Sequence, residues 1–378
     1  MATVRRALVI GGGIGGMCAA IELRKRGVAV DLVEINPAWA VYGAGITISS
    51  PTLRALRSVG VLDEVLERGG RWSAIDLCAA DGSIMNTMPM KPAIGAEDLP
   101  GAAGIYRPVL AEILSRRTRE CGVQVRLGVS FESINQEGDA AEVRCTDGHT
   151  ERYDLVIGAD GLHSKVRATL FPDAPVPKFT GQGSWRTIGP RARENSSMFF
   201  GRTTKAGLNP VSAGESYLFL LDHREGADFI PAEQWPRLLA ELLAEFGQGP
   251  VAEIRVAIED GRIGAERIVY RPLFGLMTPA PWHRGRVVLL GDAVHATTPH
   301  LASGAGIAVE GALVLAQELE RATGVDAALA AYAARCEPRA RRVVESSIRL
   351  GELEQSGGSK DEHRALMFST MNALTAPL

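Results

Sequence analysis

The sequence is poor in several features that mark particular classes of protein. Its 378 residues include five cysteines that form no CxxC pair, so we expect structural thiols rather than disulfides, zinc or a redox pair. No apolar run reaches the ~18–20 residues of a membrane span. The N-terminus also enters its first strand without the apolar core of a signal peptide. These absences predict a cytoplasmic protein that does not act at a membrane.

The chain also has little net charge. Its 41 basic and 44 acidic residues leave a formal charge of −3, which gives no electrostatic footprint for nucleic acid or an anionic membrane. We therefore expect small-molecule partners, no nucleic acid, and a monomer or homodimer.

What the sequence does have is a glycine turn between a strand and a helix at its start. Gly11 permits the tight turn, Gly13 lets a pyrophosphate approach the backbone, and Gly16 lets helix and strand pack closely. A second strand ends in Glu34, about 20 residues further on, where a carboxylate can accept both ribose hydroxyls of an adenosine. The pattern predicts a dinucleotide site.

In two later segments an apolar strand is again followed by a loop, and each of these loops carries an aspartate among small residues. One ends at Asp160 and Gly161, and the other at Gly291 and Asp292. An aspartate at the end of a strand can accept a polyol hydroxyl, and the next helix N-terminus offers N–H donors to a second phosphate. A ribityl chain fits this pair of motifs better than NAD does.

These three motifs, in this order, resemble the class A (single-component) FAD-dependent aromatic hydroxylases, the p-hydroxybenzoate hydroxylase-like family. The resemblance assigns the FAD contacts to Gly11, Gly13, Gly16, Glu34, Gly45, Arg107, Asp160, Gly161, Arg167, Gly291, Asp292, Pro299, Gly304 and Gly306. It implies that NAD(P)H reduces FAD, that O₂ adds at flavin C4a, and that the hydroperoxide hydroxylates a small phenolic or aromatic-acid substrate. Whether NADH or NADPH is the reductant stays open.

The family also implies an α/β fold. We expect a discontinuous Rossmann-like FAD-binding domain (1–71, 101–171 and 273–325), an inserted mixed β-sheet substrate domain (72–100 and 172–272), and C-terminal helices (326–378). Strand-like segments between residues 123 and 157 are predicted to join the nucleotide sheet. The proline- and glycine-rich loop 88–101 is predicted to cover a pocket, and residues 232–246 to form one amphipathic helix.

Three residues are predicted to serve catalysis. Arg186, next to Trp185, is assigned to the flavin side of the pocket, where it binds substrate or reductant, and Tyr217 is assigned to the substrate. His295 is assigned to the loop under the flavin. Each has a purely structural alternative: Arg186 as a surface arginine, Tyr217 as a core tyrosine whose hydroxyl is hydrogen-bonded, and His295 as a packed histidine. No metal is predicted, because the spacing of His295 and His300 suits no ligand pair on one helical face.

The sequence departs from the family pattern after Pro299. Ala302-Ser303-Gly304 and Glu310-Gly311-Ala312 replace glycine-glutamine-glycine and glutamate-aspartate-alanine. Because alanine lacks the conformational freedom of glycine, we expect a slightly different loop path, with Gly304 and Gly306 still allowing close approach. Two alternatives stay open: another oxygen insertion, such as epoxidation or modification of a larger polycyclic compound, and a flavin-binding homologue without efficient turnover.

Overall fold

The computed structural model describes residues 4–378, which form 19 strands and 11 α-helices. The strands are β1 (Arg6–Ile10), β2 (Ala29–Glu34), β3 (Gly45–Ser49), β4 (Gly70–Trp72), β5 (Ala74–Ala79), β6 (Ile84–Pro89), β7 (Ala102–Tyr106), β8 (Gln124–Leu127), β9 (Phe131–Glu137), β10 (Ala140–Cys145), β11 (Thr150–Tyr153), β12 (Leu155–Gly158), β13 (Lys178–Pro190), β14 (Ser196–Phe200), β15 (Lys205–Pro210), β16 (Glu215–His223), β17 (Ile268–Gly275), β18 (His283–Arg284) and β19 (Val287–Leu289). The helices are α1 (Ile14–Lys25), α2 (Ser50–Val59), α3 (Leu62–Arg68), α4 (Arg107–Glu120), α5 (Lys165–Leu170), α6 (Trp235–Leu242), α7 (Gly249–Glu259), α8 (Asp292–His295), α9 (Gly304–Arg321), α10 (Val325–Gln355) and α11 (Lys360–Leu374).

A six-stranded sheet carries the N-terminal part of the fold. Its order is β18-β19-β12-β1-β2-β8, and all neighbours except β18 run parallel. Strands β1 and β12 are almost wholly apolar and buried, as parallel strands covered on both faces require. Parallel pairing brings the carboxyl ends of β2, β1, β12 and β19 to one edge, which we call the carboxyl edge.

A seven-stranded sheet, in the order β17-β13-β16-β15-β14-β5-β6, draws its strands from residues 74–89 and 178–275. One face forms a core with α6 and α7 around Trp185, Leu220 and Phe246. Since side chains alternate along a strand, the other face presents Arg186 and Tyr217. Trp185 is fully buried in that core, so it lies on the opposite face of the sheet from Arg186.

Two further predictions about local structure are wrong. Strands β9, β10 and β11 form an antiparallel sheet of their own and do not join the six-stranded sheet. The segment predicted as one helix over 232–246 is a 3₁₀ turn followed by α6, which ends at Leu242, and the sequence reading missed α7.

The loop 88–101 packs on other parts of the chain. The Ala93 N–H donates to Ser50 Oγ at 2.8 Å, and the Ile94 N–H donates to the Thr375 carbonyl at 3.0 Å. Those contacts anchor the loop to α2 and the C-terminal segment, and they give its predicted covering role no support.

The predicted α/β class is confirmed, while the division into domains stays a prediction. All five cysteines are free. None of the helices formed by residues 4–378 combines the length and apolar character needed to cross a bilayer.

Ala302 adopts a left-handed backbone, with φ +48° and ψ 31°. The left-handed conformation is therefore retained although alanine carries a Cβ, at a strain of roughly 1–2 kcal/mol. The turn leads into α9, whose N-terminus lies beside the carboxyl edge.

We expect Ala302→Gly to raise the free energy of unfolding by about 0.5–1 kcal/mol, because relief of strain exceeds the greater entropy of an unfolded glycine. Chemical denaturation of the flavin-free protein measures this change. The control is Ala330→Gly at an exposed position inside α10, which should lower stability by about 1 kcal/mol. A loss in both variants would contradict the strain argument.

Candidate active site

The three sequence motifs meet at the carboxyl edge. The strand order β19-β12-β1-β2 places Asp292, Asp160, Gly11 and Glu34 at the ends of four neighbouring strands. Ligands of open α/β sheets bind outside the carboxyl ends of the strands, so this edge is the expected place for a dinucleotide.

The glycine turn has the geometry that its predicted role requires. Gly11 has φ +108°, and a Cβ on Gly16 would lie 2.0 Å from the Gly11 carbonyl oxygen. A Cβ on Gly13 would meet nothing within 4 Å. No side chain caps the N-terminus of α1. The turn is thus tight, its helix packs closely, and the free N–H groups of α1 face open space, as an anion site needs.

Glu34 holds the turn in place. One carboxylate oxygen accepts from the Gly12 N–H at 2.7 Å, and the other accepts from the Asn36 N–H at 2.8 Å. Each oxygen retains a lone pair for a further donor, so the carboxylate can still receive two ribose hydroxyls.

Asp160 and Arg167 bind the protein itself. The Asp160 carboxylate accepts from Ser164 Oγ and from the Val166 N–H at the start of α5. The buried Arg167 guanidinium donates to the carbonyls of Leu162 and Ala293, both at 2.8 Å. These contacts tie the loop after β12 to the loop after β19. Gly161, with φ +80° and nothing within 4 Å of a built Cβ, leaves open space beside them.

Arg107, Arg186, Tyr217 and Asp292 converge at the same edge. Burial, together with the charge of Arg186, lowers the pKa of Arg107 to about 10, while Tyr217 and Asp292 act in the opposite direction. Burial also lowers the pKa of Arg186. Within residues 4–378 neither guanidinium has an ion-pair partner within 4.0 Å, and Arg107 Nε is buried without a hydrogen bond.

Asp292 follows Gly291, whose φ is +67°. Solvent reaches the carboxylate, yet protein surrounds it closely enough that burial raises its pKa, against the opposing charge of Arg107. A carboxylate that solvent reaches and that protein surrounds lies in a recess of the surface, which we call the cleft. Two guanidiniums and one carboxylate leave that cleft with a net positive charge.

Tyr217 closes over the loop before β3. A Cβ on Gly45 would lie 2.1 Å from Tyr217 Cδ1, and one on Gly43 would lie 2.9 Å from Arg107 Cδ. The Tyr217 hydroxyl bonds to Thr47 Oγ1, and Asn209 Nδ2 donates to both hydroxyls, at 2.8 Å to Thr47 and 3.3 Å to Tyr217. Asn209 uses both of its amide hydrogens in these bonds, and one of the two hydroxyls uses its hydrogen to bond to the other. The hydrogen of the second hydroxyl therefore remains free to donate elsewhere.

The other predicted cofactor residues lie on the 3₁₀ turn before α9 and in the first turn of α9. Pro299 begins a 3₁₀ turn, and Gly304 begins α9. A Cβ on Gly306 would lie 2.3 Å from Thr52 Oγ1, so Gly306 serves close packing of α9 on α2. Its predicted contact with the cofactor stays a prediction.

His295 lies in the core. It is 1% exposed, and its ring packs 5.6 Å from that of Trp282. Burial lowers the pKa of His295 to about 4, so the ring is neutral near pH 7. No hydrogen bond joins it to Arg186 or Tyr217 within the described chain, and the geometry favours packing over its predicted catalytic part.

The neutral His295 makes stability depend on pH. The unfolded side chain titrates near 6.5 and the folded one near 4, so the unfolded state binds more protons between these values. We expect this histidine to cost up to about 3 kcal/mol of stability as pH falls from 6.5 to 4. Urea unfolding of wild type and His295→Gln across this range measures the effect, and parallel pH profiles would refute it.

Sequence reasoning missed Trp39, Thr47 and Asn209. Trp39 donates its indole N–H to the Gly12 carbonyl at 2.8 Å, and the other two hold the Tyr217 hydroxyl. The only signal in the sequence was a buried-strand position occupied by a polar asparagine between Leu208 and Pro210, which requires a hydrogen-bond partner.

The fold and the site define a dinucleotide-binding flavoprotein. An open glycine turn, an acidic group at the end of β2, an enclosed carboxylate after β19 and an orphaned arginine Nε all fit FAD. The family described as FAD binding domain matches residues 5–347 of the chain.

Individual relatives agree with this family match. Aurachin C monooxygenase/isomerase of Stigmatella aurantiaca is 33% identical, over 94% of this chain and 91% of the relative. The 6-hydroxynicotinate 3-monooxygenase of Bordetella bronchiseptica is 28% identical, over 86% and 85%. The structure of Klebsiella pneumoniae HpxO complexed with FAD and uric acid has a TM-score of 0.82 at 25% identity, covering 98% of this chain and 92% of that one. This chain belongs to the class A FAD-dependent aromatic hydroxylases, and it is a monooxygenase with FAD as cofactor.

Proposed function

We propose that this enzyme uses NAD(P)H and O₂ to hydroxylate a small, electron-rich aromatic substrate that carries an acidic group, either a phenol or an aromatic acid. The observation that supports this proposal most directly is the pair of guanidiniums, Arg107 and Arg186, neither of which has an ion-pair partner within 4.0 Å among residues 4–378, although the charge of Asp292 acts on Arg107. An anionic ring beside them would relieve the cost of two close, half-buried positive charges.

FAD, when bound, supplies the hydride acceptance and oxygen activation of the reaction. The chain's own groups then have separate tasks. Glu34 and the glycine turn hold the adenosine diphosphate half, and Asp292 holds the polyol region. Arg186 binds the anionic substrate or the reductant, since a planar guanidinium suits a carboxylate or an aromatic face.

The hydroxyl group of Tyr217 supplies the polar contact at the reacting ring. With its Thr47 partner, it has one hydrogen to donate, which suits a phenolate or carboxylate oxygen. The packing of Tyr217 over Gly45 excludes water from this side of the cleft.

The test is a screen of phenols, aromatic acids and N-heteroaromatic acids for compounds that accelerate NADH or NADPH oxidation, with products identified by mass after reaction under ¹⁸O₂. A product that contains one ¹⁸O atom per NAD(P)H consumed supports the proposal. Reductant oxidation that yields only hydrogen peroxide with every compound would instead favour a flavoprotein without efficient turnover.

A larger bicyclic substrate is the second candidate. It is favoured by relatives at 33–34% identity that are named for aurachin C and for 2-heptyl-3-hydroxy-4(1H)-quinolone. The same screen separates the two candidates when quinolones are included, because a cleft shaped for one ring should accept them poorly.

Asp292→Ala should raise the Kd for FAD about 5- to 150-fold without unfolding the chain, because a carboxylate acceptor contributes ~1–3 kcal/mol. Equilibrium titration of flavin-free protein measures the Kd. The matched control is Asp160→Ala, which removes a helix cap and should cost stability of about 0.5–2 kcal/mol with a smaller change in affinity. Full flavin occupancy with lost turnover in Asp292→Ala would assign that residue to the chemistry instead.

A further inference from the structure

Trp39 takes a backbone conformation that a bulky residue rarely adopts. Its φ is +48°, at a position in the loop after β2 that Asn36 braces. The Asn36 carbonyl accepts from the Trp39 N–H at 3.1 Å, and the Asn36 side chain bonds to the backbone of Ala38 and Ala40. Strained backbone of this kind persists where its surroundings fix it, and it is concentrated at ligand clamps and active sites.

The loop aims the indole of Trp39 at the glycine turn. The indole N–H donates to the Gly12 carbonyl at 2.8 Å, while the Gly12 N–H donates to Glu34 at 2.7 Å. A Cβ at Gly12 would lie 2.4 Å from Trp39 Nε1, so only glycine permits this approach. The backbone of a single residue, Gly12, thus links the Glu34 carboxylate to the indole.

Arg119, in the last turn of α4, covers the Trp39 ring. Its guanidinium carbon lies 4.6 Å from the ring centroid, and Arg119 has no carboxylate partner within 4.0 Å in the described chain. Trp39 remains half-exposed and Arg119 exposed. The result is a stack of two flat groups beside Glu34, with exposed area left for a third flat group.

We propose that Trp39 and Arg119 form the subsite for the adenine base of FAD. Trp39 follows Glu34 by five residues on the loop after β2 and bonds to the same glycine turn, so a base attached to a ribose held by Glu34 would lie within reach of the indole. An adenine stacks on an indole or guanidinium plane through its π-face. The proposal rests on FAD binding and not on the hydroxylation proposed above.

The test compares ligands that share only part of FAD. Trp39→Leu should raise the Kd for FAD about 5- to 150-fold, the range of one base–aromatic stack of ~1–3 kcal/mol. The Kd for FMN, which lacks adenine, should change less than twofold. Glu34→Ala is the positive control, and it too should raise the Kd for FAD while leaving the Kd for FMN nearly unchanged. Arg119→Met should also raise the Kd for FAD and leave the Kd for FMN nearly unchanged. Arg116 is an exposed residue on the same helix, and Arg116→Met should leave both Kd values unchanged.

ADP provides a second readout that needs no flavin. Titration of flavin-free protein with ADP should quench tryptophan fluorescence in wild type, and Trp39→Phe should abolish that quench while keeping the thermal unfolding temperature. Equal losses of FAD and FMN affinity in Trp39→Leu would show that the indole only braces the glycine turn, and unchanged affinity for both would remove it from the site. Either result overturns the proposal, and neither depends on finding a hydroxylation substrate.

Discussion

Arg339→Met should lower the free energy of unfolding by up to about 3–5 kcal/mol, because it removes both hydrogen bonds to a buried carboxylate and leaves it only Arg54, at 3.8 Å, as a counter-charge. Arg339 on α10 binds Glu310 on α9 through two bonds of 2.8 and 2.7 Å, and both side chains are about one-tenth exposed or less. The same guanidinium donates to the carbonyls of Leu374 and Ala376. Its loss therefore also releases the C-terminal segment.

Urea denaturation at pH 7 measures this effect. Burial raises the pKa of Glu310, whereas Arg339 and, more weakly, Arg54 lower it, so the pKa of this carboxyl should rise further in the variant. Adding Glu310→Gln to Arg339→Met should restore part of the lost stability. Arg341→Met on the same helix removes only partly exposed ion pairs and should cost less than ~1 kcal/mol. Equal losses of unfolding free energy in Arg339→Met and Arg341→Met would contradict the stabilising role given to the buried ion pair.

Tyr217→Phe should slow hydroxylation roughly 10- to 150-fold while FAD binding survives. The change keeps the ring that packs over Gly45 and removes one hydroxyl. A hydrogen bond to a charged substrate oxygen contributes ~1.5–3 kcal/mol, and its loss in the transition state gives that range of rates. Release of hydrogen peroxide then competes with hydroxylation.

The measurement is product formed per NAD(P)H consumed, with peroxide determined in parallel. Tyr153→Phe is the control, since it removes a buried hydroxyl that donates to Asp31 at 2.8 Å, and its ring lies beside Arg6 at the amino end of β1, opposite the carboxyl edge. It should lower stability and leave coupling unchanged. If Tyr217→Phe forms as much product per NAD(P)H as the wild type, this tyrosine serves packing only.

The sequence predicted the parts of the site that depend on local geometry. Gly11, Gly16 and Glu34 were assigned from strand, turn and helix periodicity, and the structure gives them the required turn, close packing and hydrogen bonds. Short-range patterns suffice where the conformation is fixed by neighbours in the chain.

Contacts across long sequence separations were not predictable in this way. Periodicity identified β9 and β10 as strands but carried no information about which sheet they join. Strand alternation places the adjacent residues Trp185 and Arg186 on opposite faces, but only the packing of α6 and α7 shows that the face with Trp185 is the core. The bonds from Asn209 to Thr47 and Tyr217 join three separate strands, so no local pattern could reveal them.

The order of strands in the six-stranded sheet also bears on how the protein is made. β19 follows residue 286 in the chain, yet it pairs directly with β12 beside β1, and Arg167 reaches the Ala293 carbonyl. A nascent chain that has not yet emerged from the ribosome beyond that point holds the glycine turn and Glu34 but lacks Asp292 and the start of α9. The carboxyl edge is therefore complete only after residues 287–306 have left the ribosome, and until then the apolar strand β12 lacks the neighbour that pairs with one of its edges.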